Sequence, residues 1–104
     1  MTNYLLAYKG GGVPETDAER DAQMAAWGKW FQDLGQAVVD GGNPVGPSKL
    51  ISDGGTVSEG APSGLTGYSV IAADGLDAAA ELAKGCPVFA VGGSVEVYET
   101  FEVM

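Results

Sequence analysis

Trp27 and Phe31 stand four residues apart in an amphipathic stretch, and Tyr68, Glu96 and Tyr98 come from two segments that read as strands. Side chains of these types can build a small-molecule site: aromatic faces supply apolar walls, phenol hydroxyls orient a ligand, and a carboxylate adds one charge. Glu96 is two residues from Tyr98, so in an extended strand both leave the same side. A carboxylate beside a phenol in an apolar cleft has a raised pKa and can act as a general base. The same residues also fit an ordinary core and a solvent-facing strand. Against that reading, Trp27 and Trp30 on one helix exceed what a small core requires. Alternation fixes the relative sides of the strand residues but not which side is inward.

Other routes to chemistry close quickly. The 104 residues hold no histidine and one cysteine, Cys86. That removes the commonest general base, the commonest metal ligand and every Ser-His or Cys-His nucleophile pair. Cys86 has only Lys84 as a local cation and reads as a small, semi-buried packing residue. Gly10-Gly11-Gly12 follows a strand and precedes a helix, as a phosphate cradle does. Glu15 stands where the third glycine of G-x-G-x-x-G belongs, and Glu15, Asp17, Glu19 and Asp21 repel an anion, so the glycines read as a flexible connection. The acidic residues at two-residue steps point around a helix and form no cage for a cation. No metal and no cofactor are expected.

Fourteen acidic side chains face five basic ones, for a formal charge of -9. The five, Lys9, Arg20, Lys29, Lys49 and Lys84, are scattered, and no basic patch exists to offset phosphate repulsion. Nucleic acid and anionic membrane are therefore not expected partners. The length suits one domain over residues 1–104. No apolar run reaches the roughly 18 residues of a membrane span. The start, Met1 to Lys9, has no positive region ahead of its apolar run and reads as a strand rather than a secretion signal. A lone cysteine calls for no oxidising compartment, and a cytoplasmic location is the expectation.

The elements that must position these groups follow from periodicity. Tyr4 to Tyr8 is apolar on both alternating faces and predicts a strand buried on two sides. Val13-Pro14-Glu15 leads into Thr16-Asp17-Ala18-Glu19, a capping-box pattern that opens a helix over 17–35. Met24, Trp27, Phe31 and Leu34 form its inner stripe, Trp30 widens it, and Gly35 ends it. Residues 36–39 fit either a helix extension or an extended segment. Asp40-Gly41-Gly42-Asn43-Pro44 forbids regular structure. Residues 49–52 and 56–58 flank Asp53-Gly54-Gly55, a hairpin signal.

Residues 65–73 predict the central strand, with Gly67 marking a close approach of other atoms. Asp74 is the expected N-cap of a short helix over 75–84, with Leu76, Ala79, Ala80 and Ala83 inward. Residues 94–103 predict the last strand, with Val95, Val97, Phe101 and Val103 on one side and Glu96, Tyr98, Thr100 and Glu102 on the other.

The order is strand, long helix, strand hairpin, strand, short helix, strand. It predicts an α+β, ferredoxin-like βαββαβ fold with an antiparallel sheet and both helices on one face. Strands 4–8 and 67–72 carry apolar groups on both faces, so one face is left in water unless a second subunit covers it.

Several segments together resemble the YCII-related family, the small α+β proteins that include the DGPF-type domain. They are Tyr4-Leu5-Leu6, the helix core 27–34 with Gly35, Gly41-Gly42-Asn43-Pro44, Gly67-Tyr68-Ser69-Val70-Ile71, the run 76–87 and Gly93-Ser94-Val95-Glu96-Val97. The resemblance implies subunits that pair sheet to sheet into a dimeric α/β barrel, hence a homodimer. Family members carry a histidine–aspartate pair proposed as catalytic. This chain has no histidine to supply it, and the Asp-Gly-Pro-Phe signature is replaced by Asp53-Gly54-Gly55-Thr56 and Glu59-Gly60-Ala61-Pro62.

Three functions compete. The first is a non-catalytic small-molecule-binding or regulatory module, a homodimer with a cleft between helix 17–35 and the sheet. The second is a cofactor-free lyase- or isomerase-like enzyme using Glu or Tyr. The third is a structural interaction partner. The missing histidine favours the first or third.

Overall fold

The computed structural model describes residues 1–11 and 14–103. Gly12 and Val13, read above as part of the connection into the long helix, lie outside the described residues. Four strands form one antiparallel sheet: β1 (Thr2–Lys9), β2 (Val38–Asp40), β5 (Leu65–Ala73) and β6 (Ser94–Glu99), in the spatial order β2-β5-β1-β6. A separate hairpin joins β3 (Lys49–Ile51) to β4 (Val57–Glu59). Two helices, α1 (Asp17–Leu34) and α2 (Leu76–Ala83), complete an α+β chain compatible with the ferredoxin-like plan.

Both helices meet one face of the sheet. Tyr4, Leu6 and Tyr8 of β1 and Ile71 and Ala73 of β5 form a single cluster with Trp30 of α1 and with Ala79 and Ala83 of α2. Leu6 and Ile71 are fully enclosed, each stabilising the fold by about 1.5–3 kcal/mol through removal of its side chain from water. The two helices are also tied to each other: the Trp30 indole N–H donates to the Leu82 carbonyl at 3.3 Å.

α1 begins as its sequence requires. The Glu19 amide donates to the Thr16 hydroxyl at 3.1 Å, and the Glu19 carboxylate accepts from the Glu15 amide at 3.0 Å. Gly35 closes the helix at a φ of 57°, its amide bonded to the Phe31 carbonyl, a conformation that favours glycine. The inner stripe is shifted from the expected one. Trp30 is its buried residue, Trp27, Phe31 and Leu34 are half-buried, and Met24 is exposed. The cap of α2 differs too: Gly75, not Asp74, is its N-cap, with no side-chain hydrogen bond, and Leu76 is exposed.

Three further differences have physical causes. The strand beside β5 is the three-residue β2, not the hairpin. β2 supplies β-branched Val38 and Val39, and the chain after it stays against β5 through a Pro44–Gly67 bridge. The hairpin's own residues are exposed on both sides. β6 stops at Glu99 because its partner runs out. The Thr100 amide and hydroxyl both donate to the Asn3 carbonyl, at 3.0 and 2.7 Å, and β1 begins at Thr2. Phe101 and Val103, expected to continue the strand on the same side as Val95 and Val97, are 80% and 82% exposed. A 3-10 turn over Pro87–Val91 fills the path from α2 to β6 and seats Val88 in the core.

Among the described residues, no helix packs on the second face of the sheet. Leu5 and Ala7 of β1, Tyr68, Val70 and Ala72 of β5, and Glu96 and Tyr98 of β6 share it, as the pairs Leu5↔Val70, Leu5↔Tyr98, Ala7↔Tyr68 and Ala7↔Glu96 require. The molecule is correspondingly flat, 44 × 42 × 18 Å, with a radius of gyration of 15.2 Å, against about 13 Å for a compact chain of this length. Among the described residues no helix is long and apolar enough to cross a membrane.

Candidate functional site

A cleft of about 560 Å³ opens between α1 and the helix-side face of β1 and β5. Aromatic rings form its inner wall. The Tyr8 and Trp27 rings meet edge to face at 4.9 Å, and Phe31 lies 5.9 Å from Trp27 and 5.1 Å from Trp30. The four-residue step from Trp27 to Phe31 stacks these side chains one turn apart on α1. Tyr8 reaches them because it follows Tyr4 and Leu6 on the inward side of β1.

The opposite wall is the Gly41-Gly42-Asn43-Pro44 segment, laid flat on β5. Its residue types follow from the closeness of that contact. Gly42 sits at a φ of 72°, and a Cβ there would run into the Tyr68 carbonyl. The Asp40 carboxylate accepts from the Gly42 amide at 2.8 Å, and the Asn43 carbonyl accepts from the Tyr68 amide at 3.3 Å. Gly67 meets the same segment: a Cβ on it would stand 3.3 Å from the Asn43 carbonyl oxygen and 3.4 Å from both Pro44 Cα and the Tyr8 ring. The close approach expected at Gly67 is thus made by this segment and by Tyr8.

A chain of hydroxyls joins the two walls. Tyr8 Oη donates to Ser69 Oγ at 2.7 Å, and Ser69 Oγ donates to the Gly41 carbonyl at 2.7 Å. Burial pushes the Tyr8 phenol up to about 12, partly offset by its bond to Ser69, so it stays neutral at ordinary pH. Cys86 lies in the core behind the site, buried, with its thiol pushed up to about 11 by burial. It remains a protonated packing group.

The five residues singled out from the sequence divide between the two faces. Trp27 and Phe31 line the cleft. Tyr68 contributes to the β5 wall, but it lies between Gly67 and Ser69, and alternation sends its side chain to the helix-free face. Glu96 and Tyr98 stand on that helix-free face, opposite Ala7 and Leu5. There the Tyr98 hydroxyl donates to Glu96 Oε1 at 2.8 Å, and Lys9 Nζ is 3.5 Å from Glu96 Oε2.

The Glu96 carboxyl consequently departs from the sequence expectation. The hydroxyl of Tyr98, with Lys9 behind it, holds the carboxyl below the usual carboxylate range despite some desolvation. A raised general base in an apolar cleft is not what this pair forms. Among the described residues no Asp, Glu, Lys or Arg lines the cleft, and no three Cys, Asp or Glu side chains come together to hold a cation.

Sequence reasoning did not single out Tyr8, Ser69 or the flat segment as site residues. The available signals were a serine amid the apolar run of β5 and two consecutive glycines before Asn-Pro. The chain matches no protein-family model and no curated protein.

Proposed function

We propose that this chain is a non-catalytic small-molecule-binding or regulatory module of the YCII-related type, acting as a homodimer whose sheets pair into an α/β barrel. The observation that carries the binding reading is the 560 Å³ cleft, walled by Tyr8, Trp27 and Phe31 and free of charged side chains among the described residues. An apolar concavity with a few polar groups is the usual form of a small-molecule site. The enzyme reading loses support because Glu96 and Tyr98 lie away from this cleft and the Tyr98 hydrogen bond lowers the Glu96 pKa, which makes its carboxylate a weaker base.

The dimer reading is supported by the helix-free face. Leu5, Val70 and Tyr98 sit side by side on it, and an isologous pair covers both copies of such a face at once. Light scattering at micromolar concentration is expected to give twice the chain mass, and a clean monomer would refute the dimer. Ligand screening by thermal shift, repeated on Trp27→Leu, tests the cleft. Stabilisation by a screened compound that is lost in the variant supports it, and stabilisation that survives unchanged places the ligand elsewhere.

A further inference from the structure

The β3–β4 hairpin is closed at both ends by its own backbone. At the tip the Ser52 amide donates to the Thr56 carbonyl at 2.7 Å, around Gly54 and Gly55, both at a φ of 86°. At the base the Ser48 carbonyl accepts from the Gly60 amide at 2.9 Å, and its hydroxyl accepts from the Ala61 amide at 2.8 Å. Among the described residues neither strand pairs with the four-stranded sheet, and all six strand residues are exposed. A two-stranded ribbon of this kind is marginal in water unless something packs on it.

The register gives the hairpin two unlike faces. The pairs Lys49↔Glu59 and Ile51↔Val57 share one side, and Leu50↔Ser58 takes the other. On the first side Ile51 and Val57 are 69% and 55% exposed, beside the Lys49–Glu59 ion pair at 3.0 Å. Apolar side chains rimmed by charges have the form of a small docking face.

The chain returns from the hairpin into β5 at Leu65, opposite Lys9 at one end of β1. A second exposed apolar pair, Phe101 and Val103, leaves β6 at the other end, where Thr100 bonds to the Asn3 carbonyl. The length of β1, roughly 25 Å for its 8 residues, separates the two groups. A two-fold axis running across the strands reverses their direction and sets the hairpin end of each copy over the tail end of the other. The exposed area suits a second copy. The chain exposes 7035 Å², whereas a compact monomer of 10.6 kDa exposes about 5,500 Å². The surplus of about 1,500 Å² exceeds the roughly 800 Å² that each partner gives to a stable interface.

Resting on the homodimer reading above, we infer that the β3–β4 hairpin is an arm that packs its Ile51–Val57 face on the Phe101–Val103 tail of a second copy of this chain. Symmetry makes the contact twice.

Sedimentation equilibrium of the full chain gives the dimer dissociation constant. At about 0.15 M salt, repulsion between two chains of charge -9 is largely screened beyond about 8 Å. Ile51→Asp is expected to raise the constant about a hundredfold, about tenfold for each of the two symmetric contacts. Leu50→Asp, on the opposite face of the same strand, loses similar strand propensity and should change it by no more than about threefold. Phe101→Asp should match Ile51→Asp, and the double variant should be little weaker than either, because both remove one contact. All three sites are exposed, so melting of dilute protein should be nearly unchanged in each variant.

An Ile51→Asp chain that dimerises as the native one does, or equal losses from Ile51→Asp and Leu50→Asp, overturns the arm and leaves the homodimer standing. Losses that add in the double variant overturn the seat on the tail. A native chain that stays monomeric at micromolar concentration overturns the arm and the homodimer together.

Discussion

Leu5 and Leu6 are neighbours on one strand, yet they belong to opposite sides of the molecule. Leu6 points at the helices and is fully enclosed, whereas Leu5 lies on the helix-free face between Val70 and Tyr98. The same division runs along β5, where Gly67, Ser69 and Ile71 look inward and Tyr68 and Val70 outward. One face has its cover within the chain, plus an uncharged cleft at one end. The other is a largely apolar surface crossed by the Lys9–Glu96–Tyr98 polar group, with no helix against it among the described residues. A strand of period two can serve a core and a second interface at once, and each substitution should report which of the two it touches.

The largest effects belong to the covered face. Leu6→Ala should cost about 3–5 kcal/mol in denaturant unfolding, since a fully buried leucine leaves both lost transfer energy and a cavity. Leu5→Ala should cost about 1 kcal/mol in dilute protein, and under the proposed dimer its effect should grow with concentration. Equal losses at the two positions would dissolve the distinction. Gly42→Ala comes next. It adds a Cβ against the Tyr68 carbonyl at a positive φ, and about 3 kcal/mol of stability should be lost.

Ser69→Ala should cost about 2 kcal/mol, because the Tyr8 hydroxyl and the Gly41 carbonyl both lose their partner in a buried setting. Val70→Asp, on the helix-free face, should leave the melting transition of dilute protein nearly unchanged and, under the proposed dimer, halve the mass found by light scattering. A variant that keeps the native mass would separate the proposed dimer from this face.

How much of this could be read in the sequence differs by region, and the reason is range. α1 was legible because Thr16, Glu19 and Gly35 are local signals acting within one turn. β1, β5 and the β3–β4 hairpin were legible from alternation and turn residues. The choice of β2 as the strand beside β5 was not, because it depends on what Gly41 to Pro44 do against Gly67, contacts more than twenty residues apart. The end of β6 at Glu99 depends on where β1 starts, across the length of the chain.

The candidate site divides in the same way. Trp27 and Phe31 carry helical spacing and were visible. Glu96 and Tyr98 were visible as a pair, but period two leaves open which side of the sheet receives them. Tyr8 and Ser69 become a pair only through the register that sets Tyr8 against Gly67 and Leu6 against Ser69.

The smallest effect is a pH dependence. Tyr8 and Cys86 both have folded-state values above their ordinary ones, at about 12 and about 11. Each favours the fold while protonated, so its contribution is complete below its ordinary value and lost as pH rises through the folded value. Thermal stability should be flat near neutrality, decline from pH 9 to 11 through Cys86 and from pH 10 to 12 through Tyr8. Cys86→Ala should remove the earlier part of the decline, as melting curves recorded across that range would show.

The most direct test of the division between the faces is an amide correlation spectrum of the full chain titrated with a compound that stabilises it in the thermal-shift screen. The glycines make the map sharp, because Gly10, Gly11, Gly41, Gly42 and Gly67 all border the cleft. Their signals and the Trp27 indole N–H should shift together and saturate with one dissociation constant, while Leu5, Glu96 and Tyr98 stay in place. Shifts gathered at Leu5, Glu96 and Tyr98, with the cleft glycines unmoved, would contradict the assignment of ligand binding to the helix-covered face.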